Sequence, residues 1–340
     1  MRAVVMRNSK LVIDTVPDPV PQEGELLVRT LACGICGSDL HALKHADKLV
    51  EVAREGGTPF TLDLRRDVVM GHEFCAEVID CGLNTSATVR RGERVVSMPI
   101  LFRGGRVEGI GYSNEASGGY GELMVLSASL ALRVPNGLPT EHAALTEPMA
   151  VGVHAVAKAH LDAHDAALVI GCGPVGLAVI AALKLRNIEP IVAADFSATR
   201  RGLAQHLGAD VVVNPAEQPA IEAFRQAANL RPAVIFECVG IPGIVHQIMR
   251  DAPRDARVLV AGVCMEDDVI KPLFGINKEL ALQFVFGYTP AEFADTLQAI
   301  ADGKIDVSPL VTGRVGIDGV PRAFDELAHP DAHAKILVEP

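Results

Sequence analysis

In the first third of the chain, apolar residues come in short β-branched runs, each closed by Pro, Gly or Asn. "MRAVVMR", "KLVIDTVP", "ELLVRTLACG", "EFCAEVIDCG" and "GERVVSM" have this form, which predicts the strands of an antiparallel, barrel-like domain. Between them the spacing changes to that of a helix. Leu43, Ala46, Val50 and Ala53 fall on one face and Gly56-Gly57 ends the pattern, so a helix is predicted over 43–55.

From about Ala150 the rhythm becomes strand, turn, helix. "AALVIG", "IVAAD", "VVVN" and "AVIFECVG" are each followed by a helical pattern, reaching Arg186, Leu207, Ala228 and Met249 in turn, before "RVLVAGV" returns to strand. Alternation at this spacing predicts βαβ units and a parallel sheet. After about Phe286 come a helix, short strands, a helix near 320–327 and "KILVEP", which can complete the first domain. The segment from Ala166 to Leu183 carries no charge and has the length of a membrane helix. Its glycines, at 171, 173 and 176, divide it instead into strand, turn and helix.

Composition narrows the class. The 340 residues exceed one ordinary core, so two domains are expected. Hydrophobic residues make up 49% and aromatics only 4%, without Trp, so the interior is built from Ala, Val, Leu and Ile, as suits buried parallel strands. A net charge of -11 with Lys and Arg at most in pairs excludes a nucleic-acid surface. No export signal is visible at the amino terminus, and seven irregularly spaced cysteines fit a reducing compartment better than a disulfide framework. A cytoplasmic enzyme without membrane contact is expected.

The chemistry begins with "VIGCGPVG". Gly171, Gly173 and Gly176, with Pro174 and Val175 between the last two, open a helix after a strand. This arrangement lets a backbone approach a pyrophosphate at a helix N-terminus. The next strand ends at Asp195, nineteen residues after Gly176, where a carboxylate would hold the ribose hydroxyls of NAD and repel the phosphate of NADP. Arg200 follows and can lie along the adenine; with Arg201 it keeps some NADP use open.

"ACGICGSDLH" holds Cys33, Cys36, Ser38 and His41, with His72-Glu73 and Glu147 downstream. Cys33 and Cys36 could form a disulfide, bind a metal or fill a core. Each later residue also has a bland reading: His72 a bonded strand end, Glu147 an acid in a helix's first turn.

Taken in order, "GICGSDLH", "GHE", "GGYGEL", "EPMAVGVHA" and "GCGPVG" resemble the zinc-dependent medium-chain alcohol and polyol dehydrogenase family, over essentially the whole chain. The resemblance implies an α/β protein in which a GroES-like β-barrel catalytic domain (1–148, completed by 286–340) receives an inserted Rossmann domain with a doubly wound parallel sheet (149–285). The substrate would lie in a cleft between them. It also implies that Cys36 and His72 are ligands of a catalytic Zn2+. Glu147 stands where many relatives carry a cysteine ligand, and in the sorbitol dehydrogenase branch the glutamate matching Glu73 ligates instead, so the two can exchange places. Cys33 then reads as strand core. Ser38 and His41 match the family's proton relay, and hydride passes from the alcohol carbon to NAD.

Two departures stand out. Relatives with a second, structural zinc carry four close cysteines after the "GHE" strand, whereas this chain has none between Cys81 and Cys172; a metal-free glycine-rich loop, "ILFRGGRVEGIGYSNEASGG", is expected, with one zinc per chain. The interval from Cys36 to His72 is also long, and its 42–67 segment should shape the substrate pocket. The leading expectation is a zinc- and NAD-dependent dehydrogenase of a secondary or polyol alcohol, in a homodimer or homotetramer joined at the sheet edge near "RVLVAGVCME". The alternatives are a zinc-free quinone or enoyl reductase and a non-catalytic nucleotide-binding protein on the same fold.

Overall fold

The computed structural model describes residues 1–56, 62–86, 88–329 and 331–340. The chain forms two compact units. One comprises Met1–Glu147, Phe293–Asp302 and Val311–Pro340, and the other Pro148–Glu292 and Gly303–Leu310.

The first unit is organised around the ten-residue strand Glu25–Gly34. It pairs antiparallel with Glu73–Cys81, Leu123–Ser127 and the carboxy-terminal Lys335–Val338. Val4, Leu26, Val28, Phe74, Val95 and Leu126 fill the core between its elements, each burial contributing roughly 1.5–3 kcal/mol. The register at the end of the long strand places the site. Gly34 stands opposite both Glu73 and Leu337, so residues far apart in sequence converge where the strand runs into the next helix.

The helix expected over 43–55 is two helices, Gly37–Lys44 and Ala46–Glu55. They part at His45, whose dihedrals (φ -126, ψ 35) leave the helical region. The first begins earlier than periodicity suggested because extended Cys36 is its N-cap and its backbone N–H donates to Asp39 Oδ2 at 3.0 Å, a reciprocal cap that satisfies an otherwise orphaned donor. Gly56 ends the second helix; Gly57 of the expected stop, and 58–61 of the interval behind it, lie outside the described residues.

The glycine-rich stretch after the fifth predicted strand is more ordered than the expected loop. Ile100–Arg103 and Arg106–Gly109 form an antiparallel hairpin. Gly104 and Gly105 turn it with φ of 57° and 75°, the left-handed pair that a two-residue hairpin turn requires. Arg103 donates to both oxygens of fully buried Glu25 at 2.8 Å, and Leu101 and Ile110 enter the core.

The second unit has a six-stranded parallel sheet, ordered Val211–Val213, Ile191–Ala194, Ala166–Ile170, Ala233–Glu237, Arg257–Val260, Ala281–Phe284. This is the doubly wound order, whose strand sequence reverses beside Ala166–Ile170. The uncharged stretch from Ala166 resolves into that strand and the helix Pro174–Leu185. Among the described residues no helix is long and apolar enough to cross a membrane. One expectation is corrected: Arg257–Val260 pairs on both sides, so the sheet edge is Ala281–Phe284, one strand further on.

Candidate active site

Cys36 caps its helix just past Gly34, and Glu73 begins the strand that pairs with Gly34. Ligand atoms of Cys36, His72 and Glu73 consequently gather within 4.8 Å of one another. Thiolate, imidazole and carboxylate are a zinc donor set, and ligands held at about 2.0–2.3 Å around a tetrahedral centre stand about 3.5 Å apart. Small adjustments of the three side chains would reach that spacing. Glu147 lies outside this group. It is 9% exposed, in the first turn of Thr146–Lys158, and near enough to Lys335 to raise that group's pKa. All seven cysteines are free, and Cys33 is fully buried, which disposes of a disulfide with Cys36.

Two charged residues with no role in the sequence reading complete the site. Lys335, brought in by the strand Lys335–Val338, donates to both oxygens of Glu73 at 2.7 Å and to the Ile35 carbonyl at 3.1 Å. Both side chains are almost wholly buried. Burial opposes the ammonium, but Glu73 outweighs it and holds the Lys335 pKa above its ordinary value. Gly34 makes the room: a Cβ there would lie 2.0 Å from Glu73 Oε2.

Asp39 is the second. Its carboxylate is fully buried and accepts from Tyr120 Oη at 2.6 Å, Tyr112 Oη at 2.9 Å and the Cys36 N–H at 3.0 Å. His72 Nδ1 stands 3.3 Å from Asp39 Oδ1, without the alignment of a hydrogen bond. Burial alone would raise the Asp39 pKa, yet His72 and the hydrogen bonds from Tyr120 and Cys36 bring it below the ordinary carboxylate value. His72 responds in the opposite sense: burial would depress it, but Asp39 and Cys36 push its pKa well up. A carboxylate at one imidazole nitrogen leaves the other as the natural metal donor and fixes the ring.

Ser38 and His41 lie one turn apart on Gly37–Lys44, hence on one helix face. Ser38 Oγ is 2.9 Å from Tyr112 Oη. His41 is partly buried, and desolvation, with His45 and Lys44 nearby, lowers its pKa, so its imidazole stays neutral and able to accept a proton at neutral pH.

In the dinucleotide unit, Gly173 caps the helix Pro174–Leu185, with Val175 at its second position. A Cβ on Gly176 would fall 1.9 Å from the Gly171 carbonyl, so only glycine lets the helix pack against the turn. Asp195 Oδ2 accepts from the Cys172 N–H at 2.7 Å and Oδ1 from the Ser197 N–H at 2.8 Å, which fixes the carboxylate beside the glycine turn. Arg200 reaches the same turn, its Nη1 3.9 Å from the position a Gly173 Cβ would take. Its Nε is buried and has no hydrogen-bond partner among the described residues.

Comparison with known proteins covers both units. Residues 22–136 match the alcohol dehydrogenase GroES-like domain and residues 174–302 the zinc-binding dehydrogenase domain. An (R,R)-butanediol dehydrogenase from Bacillus subtilis is 30% identical over the full length of both chains. A sorbitol dehydrogenase from the same organism is 26% identical over 100% of this chain and 97% of its own. A zinc-binding dehydrogenase from Sinorhizobium meliloti, solved with NADP, superposes with a TM-score of 0.83 at 27% identity, over 100% of this chain and 99% of that one.

Proposed function

As this chain belongs to the zinc-type alcohol dehydrogenase family, we propose that it is a zinc- and NAD-dependent oxidoreductase interconverting a secondary or polyol alcohol, of the diol or sugar-alcohol class, and its ketone. The observation that carries this reading is the convergence of Cys36, His72 and Glu73 beside Ser38 and His41. A zinc-free reductase has no use for that donor set.

Cys36, His72 through the nitrogen turned from Asp39, and Glu73 are the protein ligands in this reading, with one zinc per chain. Glu147, which lies outside that group beside Lys335, would serve as the outer acid of the site. Bound there, zinc supplies Lewis acidity that lowers the pKa of an alcohol, and NAD supplies the hydride acceptor. The protein does the rest. Lys335 offsets the charge of Glu73, so the ligand set is not over-charged in a buried setting. Ser38 takes the alcohol proton, and His41, neutral and half exposed, passes it toward solvent.

Asp195 selects NAD, holding the ribose hydroxyls while opposing a phosphate, and Gly171 to Gly176 with Arg200 receive the pyrophosphate. The unpaired edge of Ala281–Phe284, with Leu273, Ile276, Phe284 and Phe286 all more than half exposed, joins a second copy into a homodimer. Seven free thiols suit a cytoplasmic setting.

The test is initial-rate kinetics with 2,3-butanediol and sorbitol. The account expects NAD-linked turnover, with kcat/KM for NAD at least about tenfold above that for NADP. It also expects Asp195→Ala to erase most of that preference, since one charge opposition is worth about 1.4 kcal/mol or more. A wild-type preference for NADP would overturn the role given to Asp195.

A further inference from the structure

Tyr112 comes from the return loop after the 100–109 hairpin, a segment the proposed reaction leaves without a task. Its hydroxyl sits between two groups of the site, 2.9 Å from Ser38 Oγ and 2.9 Å from Asp39 Oδ1. Its ring lies against His72, centroids 5.2 Å apart and tilted by 42°.

The donor count fixes the direction of this chain. A tyrosine hydroxyl has one proton, and an ionised carboxylate can only accept. Tyr112 therefore donates to Asp39, which the Cys36 N–H and the Tyr120 hydroxyl reach as donors too. Ser38 must then donate to Tyr112. With its own hydrogen so directed, Ser38 Oγ presents only lone pairs elsewhere, which is the state a group needs to receive a proton from an alcohol.

We propose that Tyr112 is a positioning residue for Ser38, holding the serine hydrogen on the Tyr112–Asp39 side so that Oγ faces the substrate as an acceptor. As the alcohol proton arrives on Oγ, one proton leaves it toward the neutral His41 imidazole and Ser38 returns to a neutral hydroxyl. This inference deepens the dehydrogenase reading above and rests on it.

The loop is built to hold that geometry. The Tyr112 N–H donates to the Gly109 carbonyl at 3.0 Å, and the Gly111 N–H to the Ala116 carbonyl at 3.1 Å. Ser113 Oγ donates to buried Glu108 at 2.7 Å. Asn114 accepts from the Asp63 N–H at 2.8 Å and donates to the Asp63 carbonyl at 3.1 Å, while Arg66 pairs with Glu115 at 2.8 Å. The long interval after Cys36 and the hairpin loop thus brace each other around Tyr112. An unattached serine hydroxyl would rotate among several acceptors; this one has a single charge-anchored direction.

The experiment is a double-mutant cycle in the zinc-loaded enzyme: wild type, Tyr112→Phe, Ser38→Ala and the double variant. It is read with 2,3-butanediol and NAD, with zinc content, NADH binding by fluorescence and thermal midpoint measured alongside. Phenylalanine keeps the ring on His72 and deletes the hydroxyl.

The expected result is a loss in kcat of about tenfold or more, with KM for the alcohol within about threefold. The same substitution should change kcat less than about twofold in the Ser38→Ala background, the non-additivity of residues acting as a unit. Zinc content and NADH affinity should match wild type. Equal losses in both backgrounds, an unchanged kcat, or loss of zinc from Tyr112→Phe would each overturn the positioning role. A zinc-loaded wild-type protein that turns over neither 2,3-butanediol nor sorbitol overturns the dehydrogenase reading itself, and this role with it.

Discussion

Single residues divide into those whose chemistry shows in a motif and those whose chemistry depends on where the chain returns. Cys36, His72, Ser38 and Asp195 belong to spaced motifs, and their types are uncommon enough at those positions to point to a role. Lys335 does not. A lone lysine at the head of "KILVEP" reads as an exposed strand end, and only the pairing of that strand with Glu25–Gly34 carries it to Glu73. Asp39 stands ahead of the helix expected over 43–55 and so carried no role in the sequence, yet it accepts from the Cys36 N–H at the helix start and faces His72. The Glu73–Lys335 pair makes a test at this scale. Lys335→Met leaves a buried carboxylate without its cation, which costs about 3–5 kcal/mol. Denaturant unfolding of the metal-free protein should show that loss, and a change below about 1 kcal/mol would mean that the pair is far more hydrated than its burial implies.

For whole elements, apolar periodicity located the strands and the βαβ units because each buries a definite face. It could not locate the start of Gly37–Lys44, which is set by a cap and not by an apolar stripe: Asp39 and Ala42 are its buried residues. The 100–109 hairpin was read as a loop because glycines dominate its sequence, yet those glycines supply the left-handed turn that pairing needs. Its anchor is ionic. Arg103→Met should strand Glu25, which is fully buried, and lower stability by roughly 3 kcal/mol. Because the same hairpin leads into the Tyr112 loop, the variant should also lower kcat for the alcohol at temperatures where it remains folded. Wild-type stability together with wild-type kcat would show that the hairpin is held by its apolar contacts alone.

At the scale of the molecule, the order of motifs along the chain gave the family and the doubly wound sheet. The outermost strand escaped because Ala281–Phe284 is short and its residues are mostly exposed, unlike the buried runs that mark interior strands. An apolar, unpaired edge in an acidic chain of net charge -11 is unusual without a cover. Light scattering should find the proposed homodimer in the wild type and a monomer in Phe284→Asp, with the fold of the variant intact by circular dichroism. A wild-type monomer would remove the edge from the account.

The central claim is that Cys36, His72 and Glu73 hold one catalytic zinc and that the hairpin region needs none. Elemental analysis of wild-type protein purified without chelator or added metal tests it most directly. The account predicts about one zinc per chain, lost in Cys36→Ser. Essentially no zinc in the wild type, or an unchanged zinc content in Cys36→Ser, would contradict it.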